Sequence, residues 1–368
     1  MTGSRVPAGI DRLLSDFDHG NIASLARAVS VVENHRPGFD QLLGALHVRT
    51  GRARRIGLTG PPGAGKSTLA TRLVAAYRDA GLRVGVLAVD PTSPFTGGAL
   101  LGDRIRMESV ALDGGVFIRS MATRGSLGGL SAATRDVADV LDAFGMDRVL
   151  IETVGVGQSE LDIARTADTS VVILVPESGD SIQTLKAGMM EIADVFVVNK
   201  ADRPGADRLR HELEVMLGLR SGNTLRHVPS HHGAGLGRQM THDERLAMNP
   251  ARAAREAAES DGADVWTPPV LRAVASEGQG IAEVVAAVDR HFAYLERTGT
   301  LHERRRTRLR QRVIDVVQQK VRQRLWADPA TNGWLDDRLP ALEAGDVNPF
   351  GIADELLARS ADILTRQT

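Results

Sequence analysis

There is no cysteine among the 368 residues, which excludes disulfides, thiol catalysis and cysteine-ligated metal sites. Nor is there an excess of charge of one sign. The 45 Lys and Arg stand against 46 Asp and Glu, so the overall balance announces no nucleic acid or other polyanionic partner. The triplet Arg304-Arg305-Arg306 is a local cluster, and such a run usually forms a solvated helix face. No stretch reaches about 18 consecutive apolar residues, and the first residues, MTGSRVPAGIDRLLSDF, lack the apolar centre of a secretory leader. The expectation is a cytoplasmic protein that does not enter a membrane. What is present suits a folded core: the apolar fraction is 42%, and the length allows one large α/β domain with smaller appendages.

The most specific stretch is Gly60-Pro61-Pro62-Gly63-Ala64-Gly65-Lys66-Ser67, which fits G-x-x-x-x-G-K-[ST]. An apolar run precedes it, and Thr68 onward has helical spacing. A glycine turn between strand and helix can wrap backbone N–H groups around phosphate oxygens, aided by the positive end of the helix dipole. Lys66 would bridge the outer phosphates and the Ser67 hydroxyl would ligate Mg²⁺.

Around this motif the chain divides into three parts. Residues 1–50 form a helical extension, with Ile10, Leu13, Leu14 and Phe17 on one face and Ile22, Leu25, Val29 and Val32 on another. Residues 51–296 alternate strands with helices. The strand candidates are 56–60, 84–90, 116–121, 148–153, 170–176, 195–199 and 270–276. Most are short apolar runs without alternation, as expected of strands buried on both faces of a mainly parallel sheet, so the fold class is a doubly wound α/β P-loop domain. Residues 221–264, poor in large apolar side chains, suggest a mobile insertion. Its His227, His231, His232 and His242 have no metal-binding spacing and are expected to be solvated. Residues 297–368 change character: Leu309, Val313, Val317, Val321 and Leu325 recur every four residues on a long helix, and Asn348-Pro349-Phe350-Gly351 breaks the chain before a final helix. Such a stripe has to be covered, either by folding back on its own domain or by a second copy, and the second copy is the expected cover, giving a homodimerisation arm.

Further stretches carry chemistry. Asn199-Lys200-Ala201-Asp202, at a strand end downstream of a P-loop, suits guanine: the Asp202 carboxylate accepts from the ring N–H and the exocyclic amine, which adenine does not match. Ser276 and Glu277, after the last strand, suit a backbone contact to the carbonyl edge of the base. Glu152-Thr153-Val154-Gly155 places an acid for Mg²⁺ at a strand end and a glycine N–H for the γ-phosphate three residues on. Val156 follows, and a valine cannot orient an attacking water; slow intrinsic hydrolysis is therefore expected, completed by Gln158, another switch residue or a partner. Asp90 and Asp103 are candidates for Mg²⁺ or for the proton of the water, with turn and helix capping as the alternative. Arg119, Arg124 and the glycines that follow suggest a loop near the site.

Taken together, GPPGAGKST, AVDPTSPFTGGALLGDRIRM, RSMATRGSLGGLS, IETVGVGQSE, PESGDSIQTLKAGMMEIAD and VVNKAD resemble the MeaB/ArgK family of GTPases associated with methylmalonyl-CoA mutase. The resemblance implies a dimeric GTPase of the SIMIBI class that binds GTP or GDP with Mg²⁺. It also implies partnership with an adenosylcobalamin-dependent acyl-CoA mutase, whose cofactor loading it gates and which it protects, and with an adenosyltransferase. By the same resemblance Asp90, Asp103 and Glu152 sit at switch or Mg²⁺ positions, 154–160 is a second switch and 177–186 a third. Two other readings are a kinase or ATPase linked to basic amino-acid transport, and a metallochaperone GTPase. The guanine tetrad stands against the first and the missing cysteines against the second.

Overall fold

The structure, a computed structural model, describes residues 8–90, 107–122, 132–153, 159–178, 189–221 and 265–359. Asp103, Gly155, Gln158, Arg124, most of 177–186 and the histidines of the 222–264 stretch lie outside the described residues. The chain divides into two compact units, Met1–Leu301 and His302–Thr368.

The first unit is built on seven strands: β1 (Arg54–Thr59), β2 (Val84–Asp90), β3 (Val116–Ala122), β4 (Arg148–Thr153), β5 (Thr169–Leu174), β6 (Val195–Val198) and β7 (Val270–Arg272). Their order is β3-β2-β4-β1-β5-β6-β7 and every strand pairing is parallel. Because side chains alternate across a strand, each apolar run feeds both faces at once. Val86 and Leu150 join one layer while their neighbours Leu87 and Val149 join the other. The first layer is completed by Leu69, Leu73 and Val74 of α4 (Lys66–Asp79) together with Val284 and Val288 of a later helix (Ile281–Arg297). Burying each such side chain is worth about 1.5–3 kcal/mol.

On the opposite face lie α1 (Ala8–Asp18), α2 (Ile22–Glu33) and α3 (Phe39–Leu46). Their Leu13, Phe17, Leu25, Val29 and Leu42 share one core with Val137 and Leu141 of a further helix (Ala132–Ala143). Ile22, expected on the buried face of α2, is 42% exposed. It is the first helical residue, directly after the Asn21 cap, and the buried face begins at Ser24 and Leu25. In chain order the remaining helices of this unit are α5 (Glu108–Ala111), α6 (Ala132–Ala143), α7 (Ser159–Thr166), α8 (Met189–Ile192), α9 (Ala206–Ser221) and α10 (Ile281–Arg297).

The approach to β1 is tied down electrostatically. The buried Asp142 carboxylate accepts from the backbone N–H groups of Gly51, Arg52 and Ala53, at 2.7, 3.1 and 2.9 Å. Arg55, the second residue of β1, pairs with Asp139 and Asp142. Burial alone would favour neutral Arg55, but Asp139, Asp142 and Asp168 outweigh it and hold the guanidinium charged. β1 is thus fixed at the centre of the sheet between β4 and β5, where the strand order reverses; in open α/β sheets ligands bind outside the carboxyl ends at such a point.

Four strands stop short of the sequence expectation, β1 at Thr59, β5 at Leu174, β6 at Val198 and β7 at Arg272. After β7 the chain closes into a tight turn in which Val274 and Gln279 pair in antiparallel fashion, taking residues 274–276 out of the ladder. Arg119, expected in a loop near the site, lies on β3 and pairs with Glu33 of α2.

In the second unit lie most of α11 (Thr300–Ala327), then α12 (Pro329–Asp336), α13 (Leu339–Ala344) and α14 (Pro349–Arg359). A strict four-residue period drifts by about 40° per step on a helix of 3.6 residues per turn. The apolar stripe of α11 therefore winds around the helix instead of holding one face. Leu309, Val313 and Val317 are 53%, 63% and 54% exposed, whereas Leu325, at the far end of the drift, is buried, as are Ile352 and Leu356. Asn348-Pro349 is a helix start. The Asn348 side chain accepts from the N–H groups of Phe350 and Gly351, both at 3.0 Å, with proline at the first helical position. Among the described residues no helix is long and apolar enough to cross a membrane.

Candidate nucleotide site

At the carboxyl end of β1 the chain turns through 60–65 into α4, which begins at Lys66. Gly60 has φ +143°, and a Cβ there would fall 2.0 Å from the Ile173 carbonyl oxygen of β5, so only glycine lets the turn leave the sheet. Gly65 has φ +84°, and a Cβ there would sit 2.4 Å from Nδ2 of Asn199. The 60–65 turn and the Asn199–Asp202 segment are therefore in van der Waals reach of each other, although 134 residues separate Gly65 from Asn199 in the chain (199 − 65).

Asn199 uses that proximity. Its Nδ2 donates to the Ala64 carbonyl at 2.8 Å, and its Oδ1 accepts from the Ala275 N–H at 3.1 Å. One buried side chain thus ties the P-loop to the turn after β7. The next residue, Lys200, has φ +54°, the left-handed region that a non-glycine side chain enters at a cost of about 1 kcal/mol. Strain of this kind persists where the surroundings over-determine the backbone. Asp202, Ser276 and Glu277 are exposed beside this turn. An open cleft of about 670 Å³ adjoins them, lined by Asp202 and Glu277 and reaching Arg210, Arg272 and Glu283 along β7.

Lys66 is buried, and its ammonium donates to the carbonyls of Gly60 and Pro61 at 2.8 and 3.0 Å, which holds the charge inside the turn. Pro62, Gly63 and Thr68 are exposed on the same loop and first helical turn. The Ser67 hydroxyl donates to Oε1 of Glu152 at 2.7 Å, bringing the end of β4 against the helix N-terminus. These are hard oxygen donors, the set that Mg²⁺ takes, and the pair fits such an ion. Asp90 closes β2, one register step beyond the Val89–Thr153 pairing that sets β2 beside β4.

Two charged residues outside the sequence-level candidates meet this site. Arg72, on α4, donates from Nε to the Ala275 carbonyl at 3.0 Å and from Nη2 to the Ser276 carbonyl at 2.5 Å. Arg203, directly after the tetrad, pairs with Glu177 at the start of the expected third switch and holds that carboxyl below the usual range. Both partners are about half exposed, so the pair contributes little stability. No local pattern marks either arginine; each is found only once the fold brings two segments distant in sequence together.

The family model described as methylmalonyl Co-A mutase-associated GTPase MeaB matches residues 25–330. A putative GTPase of Pyrococcus abyssi is 42% identical over 348 residues, covering 95% of this chain and 96% of the relative. The mitochondrial methylmalonic aciduria type A homolog of mouse is 31% identical over 366 residues, covering 95% and 79%. A crystal structure titled LAO/AO transport system kinase superposes with a TM-score of 0.63 at 25% identity, covering 97% of this chain and 99% of that one. With its phosphate turn on the central strand of an all-parallel sheet, the chain is a GTP-hydrolysing enzyme and belongs to the MeaB family of methylmalonyl-CoA mutase-associated GTPases.

Proposed function

We propose that this GTPase is a nucleotide-gated chaperone of an adenosylcobalamin-dependent acyl-CoA mutase, acting in the cytoplasm on cofactor loading and protection of the mutase. The observation that carries the reading is the double tie of Asn199 to Ala64 and Ala275. It makes the phosphate turn and the base-reading loops one unit, so a single nucleotide engages both. Residues 60–68 cradle the phosphates, with Lys66 as the cationic contact. Asn199, Lys200 and Asp202 read guanine on one edge, and Ser276 with Glu277 read it on the other. Ser67 and Glu152, with Asp90 and Asp103, would hold Mg²⁺, which supplies charge neutralisation at the phosphates. Gly155 and Gln158 complete the reading as the γ-phosphate sensor and the residue that orients water.

The name of the mouse relative and the description of the family model support a mutase partner. Intrinsic hydrolysis is slow in this reading, and the cognate mutase raises it. Mixing the protein with a methylmalonyl-CoA-type mutase is expected to increase GTP turnover about tenfold or more, a change of about 1.4 kcal/mol in the barrier. An unchanged rate across such mutases removes the partner assignment. The likeness to the LAO/AO transport system kinase favours a second reading, phosphotransfer linked to basic amino-acid transport. Transfer of labelled γ-phosphate to a protein or small molecule, in place of release as inorganic phosphate, would select it.

The exposed Leu309, Val313 and Val317 of α11 support a homodimer, with a second copy covering the arm from residue 297 onward. Sedimentation of the full chain is expected at dimer mass, and the double substitution Val313→Glu and Val317→Glu at monomer mass. A wild-type chain that sediments as a monomer at micromolar concentration rules the arm out as a dimer interface.

A further inference from the structure

We infer that Arg72 is the positioning residue that aims the base-reading peptide of the turn after β7, and so sets guanine selectivity from the phosphate-binding helix. The inference rests on the guanine reading above and extends it to a residue outside the nucleotide motifs.

The argument starts from peptide geometry. In a planar trans peptide the carbonyl and the N–H of one unit point in opposite directions. The Ala275 carbonyl accepts from Nε of Arg72 at 3.0 Å, so the N–H of the same unit, that of Ser276, is directed away from α4. The neighbouring unit is held in the same way: the Ser276 carbonyl accepts from Nη2 at 2.5 Å, and its N–H partner, Glu277, donates to Val274 at 3.0 Å. A guanidinium presents these donors in a fixed fork, so both carbonyls are constrained by one rigid group.

The other N–H groups of the turn are engaged. Ala275 donates to Asn199 Oδ1, Gly278 to the Ala275 carbonyl, and Gln279 to the Val274 carbonyl. Among the backbone N–H groups of the run 275–279, that of Ser276 is the one without an acceptor among the described residues. It is also the donor that faces away from Arg72, and it adjoins the tetrad through Asn199. The carbonyl edge of guanine accepts from such a donor; adenine presents an amine at that position and meets N–H with N–H. Arg72 therefore acts on the base through the Ser276 peptide and touches neither base nor phosphate.

The test compares the full-length wild type with Arg72→Ala and Arg72→Lys by calorimetry with GDP, IDP and ADP. IDP keeps the carbonyl edge and loses only the exocyclic amine read by Asp202. In Arg72→Ala the affinities for GDP and IDP are expected to fall together by about tenfold, while ADP binding stays constant, so the preference for GDP over ADP narrows by the same factor. Arg72→Lys, with a single ammonium in place of the fork, is expected to recover part of the selectivity. A general weakening of the site would lower ADP binding equally and leave the ratio unchanged. An unchanged GDP to ADP ratio in Arg72→Ala overturns the role of Arg72. A wild type that binds GDP and ADP equally overturns the guanine reading itself, a distinguishable failure.

Discussion

Asp202→Asn is expected to lower GDP affinity by about 10²–10⁴-fold and to move the base preference toward xanthine. The carboxylate accepts two hydrogen bonds in the proposed complex, from the ring N–H and the exocyclic amine, and a bond to a charged group is worth about 1.5–3 kcal/mol. The asparagine amide has one acceptor and one NH₂ donor, so one of the two guanine donors meets another donor. Xanthine carries a carbonyl where guanine carries the amine, and that carbonyl accepts from the new NH₂. Asp202 is exposed at the end of the tetrad, so the substitution leaves the core intact and the change in affinity reports on base recognition. Titration with GDP and XDP checks it. If the variant retains the wild-type ratio between the two, guanine is not read by this tetrad.

Lys66→Ala is expected to reduce GTP turnover by about 10²–10³-fold, the range seen when one preorganised donor to a charged transition state is lost. Here the side chain has a second task, because its ammonium also satisfies the Gly60 and Pro61 carbonyls. Removing it takes away both the cation and the internal brace of the turn. Lys66→Arg keeps the charge but cannot place a compact ammonium between those carbonyls, and it is expected to stay well below wild type. Phosphate release under saturating GTP, with thermal melting of each variant alongside, is the measurement. Near-wild-type turnover in Lys66→Ala would remove the P-loop from the chemistry.

Much of this architecture is written locally. The apolar runs that became β1, β2, β4 and β6 are visible because burial on both faces leaves no room for alternation, as Val86 and Leu87 illustrate by serving opposite layers. The P-loop is visible because Gly60 and Gly65 occupy backbone conformations and close approaches that no other residue fits. Other features are not local. The drift of the α11 stripe separates Leu325 from Val313 although both obey one period. Arg119 precedes the glycines from Gly125 onward by six residues, but the strand carries it to Glu33. Arg72 is an ordinary helical arginine until the turn after β7, more than two hundred positions later, arrives beside it.

The placement of β1 also bears on how the chain is made. Its two neighbours, β4 and β5, are synthesised later, and β5 ends only at Leu174. A parallel sheet closes through such distant contacts, which form slowly. A nascent chain that has passed the ribosome only as far as α4 therefore owns the whole phosphate motif and none of the frame that shapes it. The Ile173 carbonyl that Gly60 passes, and the Asn199 that braces Ala64, are still to come. A chain that ends before Ile173 thus lacks both the close approach at Ile173 and the brace on Ala64 that shape this turn in the folded protein.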